Sequence, residues 1–466
     1  MPLTRTATLT SAPALATTPA AVALPNRMPF LKRLFWAYFL LLIFEGALRK
    51  WLIPQFSAPL LIIRDPLGLW IIWEAYRTRK WPAKWTTVTA VLCVSVIGLT
   101  LVQLVVGDNS GIAALFGVRS YLLPFPVAFI MAENLTTEDL RKFGTCILWL
   151  LLPLTALELI QYISPPTSFW NTGASEGAVQ LGYAQGHVRA SATFSYVMGP
   201  MFYTPLAGAF VFYGLVDQRF AKKWLLWAGA GALVLSIPLI GSRTVVYEMA
   251  ALVGCVALAA LFGVSQLVKS IKMMLVILFV GLLVSQLPIF SEATETMVSR
   301  FTDATTAEGG SAGASLYERI VQPITLVVGD SVANNDFLGM GMGRGANAIT
   351  RLISGQVTFA AGEETVVRTI HECGWPFGIA FLLFRYALAI SIAIASILKA
   401  KEQPLALLLL PLTFHALALG GLDQPTTQGF TVFGLAFSLA ALREERSQIV
   451  RRDLAYAKYR TTYTRA

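Results

Sequence analysis

Residues 291–372 hold five arginines, Arg300, Arg319, Arg344, Arg351 and Arg368, and no lysine, and the segment closes on His371-Glu372. Guanidinium binds phosphate through a planar fork, is weakly hydrated and keeps its charge at every accessible pH. A histidine at such a place suits a general base toward a hydroxyl, with Glu372 orienting it or taking the proton itself. Two further arginines stand elsewhere: Arg189 in a polar stretch at 164–196, and Arg243 in Gly241-Ser242-Arg243 at the end of an apolar run. An ionisable group at the end of such a run usually has a purpose. The chemistry these types suggest is the holding of an anion beside a proton acceptor. His187, two residues before Arg189, is a secondary candidate, with Arg119 and Arg368. The same residues also suit plainer roles. A glutamate at a helix start is favoured by the macrodipole, a histidine there can cap, and arginines in loops can simply pair with Glu45, Asp65 or Glu318. His415, inside an apolar run, reads as a core residue.

The run Gly339-Met340-Gly341-Met342-Gly343-Arg344-Gly345 is not a nucleotide loop, because no GK[ST] follows and no strand–helix unit surrounds it. Its glycines suit a hinge or a close backbone approach. No His, Cys or Asp cluster has metal-ligand spacing, so no metal and no cofactor is expected. Cys93, Cys146, Cys255 and Cys373 have no paired spacing and read as small core residues.

The elements that must position these residues are membrane helices. The chain is 56% hydrophobic and 13% charged, with mean hydropathy +0.64, too apolar for a soluble domain of 466 residues. Apolar runs near 33–48, 58–75, 86–106, 113–132, 144–163, 197–216, 225–241, 245–264, 273–290, 373–397, 404–420 and 427–442 are each about long enough to cross a bilayer as a helix. This predicts an all-α polytopic integral membrane protein of about twelve spans, with one large external loop, 291–372, between the ninth and tenth. Apart from Lys50, the lysines fall in the tails or in alternate short connections, such as Lys80, Lys84, Lys142, Lys222 and Lys223. That is the positive-inside pattern. It accounts for the net charge of +10 without a nucleic acid, and it puts both termini in the cytoplasm. Residues 1–28 read as a disordered cytoplasmic tail, 29–442 as one membrane domain with 164–196 as its first external loop, and 443–466 as a basic cytoplasmic tail. The segments at 58–75 and 113–132 contain Arg64-Asp65-Pro66 and Arg119, Pro124 and Pro126, and are expected to bend.

Several of these residues fall in an order that resembles a known family. Arg189 to Phe194 gives Arg-x-x-x-Thr-Phe in the first large external loop, and Gly-Ser-Arg follows at 241–243. The late loop then carries Tyr317-Glu318-Arg319, Gly-x-Gly-x-Gly at 339–343 and His-Glu-x-Gly at 371–374. Phe44-Glu45-Gly46-Ala47-Leu48-Arg49-Lys50-Trp51 and Arg64-Asp65-Pro66 add to the likeness. Over roughly 33–442 the chain resembles the bacterial O-antigen ligase and polysaccharide polymerase superfamily (Wzy/WaaL-like). The resemblance implies a GT-C-type, inverting, metal-independent glycosyltransferase of the bacterial inner membrane, using an undecaprenyl-diphosphate-linked glycan as donor. Arg189, Arg243 and Arg319 would hold the diphosphate and His371 would deprotonate the acceptor hydroxyl. Its partners would be membrane lipid, a chain-length regulator and other polysaccharide export proteins. The leading expectation is a polymerase of lipid-linked repeat units. A ligase with another acceptor uses the same chemistry, and a flippase or secondary transporter is the alternative of a different class.

Overall fold

The computed structural model describes residues 29–107, 109–174, 187–217, 220–262, 291–295, 297–298, 325, 329, 337–346, 349 and 365–443. Among them the regular structure is helical, with no strand. The main helices are α1 Phe30–Ala47, α2 Arg64–Arg77, α3 Thr86–Val106, α4 Gly111–Leu122, α5 Pro124–Asn134 and α6 Thr137–Ile163. They continue with α7 Met198–Val216, α8 Lys223–Ile240, α9 Arg243–Leu261, α10 Thr365–Cys373, α11 Trp375–Leu398 and α12 at 425–443. By length and composition six helical segments among the described residues can cross a membrane, and seven if the bent pair Pro54–Leu60 and Arg64–Arg77 is one span. α1 and α7 are not among the six, and α1 carries Lys32, Arg33 and Glu45. The expected span at 273–290 lies outside the described residues.

Local sequence explains the breaks. Thr136 and Asp139 cap each other's backbone N–H groups and start α6. Ser110 accepts from Ala113 N at 3.2 Å and starts α4. Pro124 divides α4 from α5, and the 58–75 run bends by 41° ahead of Arg64. Gly241, at φ 60°, ends α8 in the left-handed region, so that α9 begins only two residues later. The segment expected as one span at 404–420 is instead two short helices followed by a π-helix, His415–Leu419.

Aromatic contacts tie α1, α6 and α12 together. Trp36 stacks on Phe143 at 4.0 Å between centroids, and Phe39 meets Phe433 edge-on at 5.3 Å. α4 and α5 are buried on nearly every side. α3 and α9 leave most of their apolar surface uncovered, as at Val94, Leu101, Val105 and Leu261. Water would not tolerate such faces, but hydrocarbon does.

The two ends of the bundle differ in chemistry. At one end lysines and arginines meet carboxylates of connecting segments: Lys32 with Asp139, Lys84 with Glu133 at 3.5 Å, and Arg141 with Asp217 at 2.5 Å. The other end gathers the buried Arg49, Lys50, Arg64, Arg119 and Arg368, with Arg189, Arg243 and His371 half-buried.

Candidate functional site

Arg189 belongs to an irregular segment pinned between α1 and α6. The Gln161 side-chain oxygen accepts from Ser191 N at 3.0 Å and Ala192 N at 2.8 Å, and its amide donates to Ala192 O at 3.2 Å. From the other side Lys50 donates to Ser191 Oγ at 2.5 Å and to Ala192 O at 3.2 Å. Arg49 reaches Ser195 Oγ at 2.9 Å, and Thr193 Oγ1 reaches Ile43 O at 2.6 Å. A Cβ on Gly46 would fall 2.1 Å from Ser195 N, so α1 needs glycine there. Burial, with Arg49 adjacent, pushes the Lys50 ammonium down to about 7.

That pinned segment meets the α8–α9 corner, because Ala190 N donates to Leu239 O at 3.4 Å. The backbone beside Arg189 is thereby joined to the corner that leads into Arg243. Arg189 Nε is buried with no hydrogen-bond acceptor among the described residues. Arg243 is the first residue of a 19-residue helix, where the positive end of the macrodipole opposes a cation. Both features favour an anion in front of them. His187 is otherwise engaged. Its ring stacks on Tyr162 at 4.3 Å, and its nitrogens lie 2.9 Å from Tyr162 O and 3.1 Å from Glu292 Oε1. It ties the start of the 291–372 segment to the end of α6.

The second group is built on α10. Glu372 is 1% exposed, and both carboxyl oxygens are occupied. Oε2 accepts from Tyr121 Oη at 2.8 Å and Gly343 N at 3.1 Å, and Oε1 accepts from Gly345 N at 2.8 Å. The α10 backbone continues the grip, with Met340 N donating to His371 O at 2.8 Å and Gly341 N to Glu372 O at 3.2 Å. Gln103, near the end of α3, closes it by accepting from Met342 N at 2.8 Å and donating to Leu338 O at 2.6 Å and Glu372 O at 2.8 Å. Gly339, Gly341 and Gly343 have φ of 69°, 114° and 80°, and a Cβ on Gly343 would sit 2.2 Å from Ala113 O. The close backbone approach these glycines allow is therefore to the protein's own α4 and α10. Burial pushes the Glu372 carboxyl up to about 7, against the pull of its donors.

His371 is half-buried, and its ring makes no hydrogen bond among the described residues. Adjacent helical residues do not face one another. Glu372 faces the glycine loop, so it does not orient the His371 ring as the dipeptide suggested. One turn earlier Arg368 pairs with Asp423 at 2.5 Å. Arg119 pairs with Asp65, donates to Gln428 Oε1 at 3.1 Å, and accepts from Gln428 Nε2 at its own carbonyl, also at 3.1 Å. Arg319 lies outside the described residues.

The structure thus makes two groups of the candidates, His187 with Arg189 and Arg243, and Arg119 with Arg368, His371 and Glu372. The turn at 421–424 and the start of α12 join them. Asp423 and Gln428 touch the second group, while Phe430 packs on Phe194 and Phe202 beside the first. Sequence reasoning passed over Gln103, Tyr121, Asp423 and Gln428. Gln103 had a signal, a lone amide in an apolar run. It also passed over Glu248, which pairs with His415 across α9 and the π-helix and leaves its Oε2 buried without a partner. Among the described residues no group of three or more His, Cys, Asp or Glu side chains is arranged for a metal ion.

In comparisons with protein-family models, curated proteins and solved structures, nothing matches the chain.

Proposed function

We propose that the chain is a membrane glycosyltransferase of the O-antigen ligase and polysaccharide polymerase type. It joins undecaprenyl-diphosphate-linked repeat units at the outer face of the bacterial cytoplasmic membrane, with both termini inside. The observation that carries this reading is the asymmetry of the bundle. One end pairs Lys32 with Asp139 and Arg141 with Asp217; at the other Arg49 and Arg64 share Glu45, the segment of Arg189 is bonded to the α8–α9 corner that leads into Arg243, and the His371 ring makes no hydrogen bond among the described residues. A polyprenyl diphosphate needs such an end, because its charge must be held while its lipid stays in the bilayer.

In this reading Arg189 and Arg243 hold the donor diphosphate, and Arg319 joins them on the strength of the family likeness. The acceptor hydroxyl gives its proton to the His371 ring as its oxygen attacks the anomeric carbon. The bond from that carbon to the diphosphate oxygen breaks, and the electron pair leaves with the diphosphate. Guanidinium groups fixed beforehand stabilise that charge without reorganising. Attack opposite the leaving group inverts the anomeric centre. A ligase passing the glycan to a different acceptor would use the same groups. A flippase or transporter gains support from ionisable groups inside helices, namely Glu248 with His415 and Glu158, which binds Ser236 at 2.5 Å. The arginine end outweighs these, since Glu248 is paired with His415 and Glu158 with Ser236, whereas three arginines share the carboxylates of Glu45 and Asp65.

The test is the glycan carried on undecaprenyl diphosphate in a deletion strain. Single repeats accumulating on the outer face support the polymerase. Long lipid-linked chains make the protein a ligase, and donor trapped on the cytoplasmic side makes it a flippase.

A further inference from the structure

The arginines at this end exceed the carboxylates that could neutralise them. Arg49 and Arg64 both bind Glu45, at 3.4 and 3.0 Å, and Arg119 binds Asp65, so three guanidinium groups share two carboxylates. Arg64 is 2% exposed and Arg119 9%, and the Nη1 atom of each is buried with no acceptor among the described residues. Buried donors of this strength are almost always satisfied, so the free Nη1 of each guanidinium leaves room for one more acceptor, which an anionic oxygen suits best.

The two guanidinium groups converge on consecutive residues of α12. Arg119 grips the Gln428 amide, and Arg64 Nη1 lies 2.1 Å from where a Cβ on Gly429 would be. Aromatic rings back both, Tyr38 at 5.7 Å from Arg64 and Phe116 at 4.7 Å from Arg119. Arg64 and Arg119 lie on elements other than those that carry Arg189 and Arg243, and a chain of bonds joins Arg64 to the segment of Arg189. The connection runs through Glu45, Arg49 and Ser195.

We infer that Arg64 and Arg119 form a second oxyanion site, which holds the diphosphate of the acceptor's lipid carrier. The inference rests on the polymerase reading, in which donor and acceptor are each attached to a polyprenyl diphosphate, so that two diphosphates must be held at once. A ligase whose acceptor lacks a diphosphate needs one site only.

The experiment counts lipids on the full chain in nanodiscs of zwitterionic lipid, by native mass spectrometry with undecaprenyl diphosphate as probe. The wild type should bind two equivalents. Gly429→Ala, which drives a methyl group into Arg64, and Arg119→Lys, which removes the fork, should each weaken one equivalent roughly tenfold or more and leave the other intact. Arg243→Ala should remove the other. One equivalent in the wild type, or two in both Gly429→Ala and Arg119→Lys, overturns the site. Binding of inorganic diphosphate that the lipid does not displace assigns the site to a free anion and overturns the acceptor role. If Arg243→Ala keeps polymer synthesis while two-site binding holds, the donor role of Arg243 fails and the second site stands; if a deletion strain still makes polymer, the polymerase reading fails and the acceptor role with it.

Discussion

Glu372→Gln tests whether this carboxylate is the grip on the glycine loop. Three donors converge on it, Gly345 N on Oε1 and Gly343 N with Tyr121 Oη on Oε2, at 2.8, 3.1 and 2.8 Å. Glutamine keeps one oxygen and replaces the other with a donor. If the amide nitrogen takes the Oε2 place, Tyr121 can rotate to accept but Gly343 N is orphaned. If it takes the Oε1 place, Gly345 N is orphaned. Either way one buried N–H loses a charged acceptor, a cost of about 1–3 kcal/mol. At RT near 0.6 kcal/mol this raises the open fraction of the loop roughly 5- to 150-fold. Hydrogen exchange of the peptide covering 339–345, measured at pH 8 so that the raised Glu372 carboxyl is ionised, should accelerate by that factor while the core of α6 is unchanged. Unaltered exchange across 339–345 would refute the idea that Glu372 holds the loop.

The glycines give a sharper contrast. Gly343→Ala puts a methyl 2.2 Å from Ala113 O in a left-handed backbone that alone costs about 1–2 kcal/mol, so the thermal midpoint should fall clearly; Gly254→Ala, with nothing within 4 Å, should hold or raise it. Lys50 has its folded pKa lowered to about 7 from 10.5, so the unfolded chain binds the extra proton between these values and stability should rise with pH from about 7 to 10.5. In Lys50→Met that rise should flatten, and an unchanged slope in a pH series of unfolding midpoints would show that Lys50 is not the titrating group. His371→Ala should abolish turnover in a purified system with lipid-linked donor while leaving hydrogen exchange at 339–345 intact; persisting turnover would move the base elsewhere.

Much of the fold could be read from the chain because hydrocarbon imposes a simple code. The bend at 61–63 and the starts at Thr136 and Gly111 follow from proline and capping chemistry, while Pro124 interrupts the helical bonding within a single span, Gly111–Asn134. The interruption of 404–420 was passed over although Pro411 stands where the two short helices meet; the π-helix that follows presents His415 to Glu248, a pairing only the fold shows. The site was legible in its residue types but not in its pairings. Gly-x-Gly-x-Gly announced a backbone that must come close to something, yet only the fold shows that the something is Ala113, Gly374 and the Glu372 carbonyl. In the same way His371 and Glu372 are neighbours in sequence and point to different tasks, because successive residues of a helix lie about 100° apart.

That separation bears on how the site could work. One short helix, α10, carries Arg368, His371 and Glu372, and its end is bonded through Gln103 and Glu372 to the glycine loop. A shift of the loop cannot leave the His371 ring in place, since Met340 N is bonded to the His371 carbonyl itself. Arg368, through Asp423, ties the same helix to the turn that leads into Gln428, Gly429 and Phe430. The candidate base is therefore mechanically coupled both to the glycine loop at 339–345 and to the residues on which Arg64 and Arg119 converge. An anion settling between those arginines would press on the first turn of α12, and the strain would reach α10 by a path of three contacts. Asp423→Asn cuts that path at its single ion pair without touching Arg64, Arg119 or His371. If the coupling matters, the variant should bind both lipids as the wild type does and yet lose turnover; unchanged turnover would mean that α10 is positioned by the glycine loop alone.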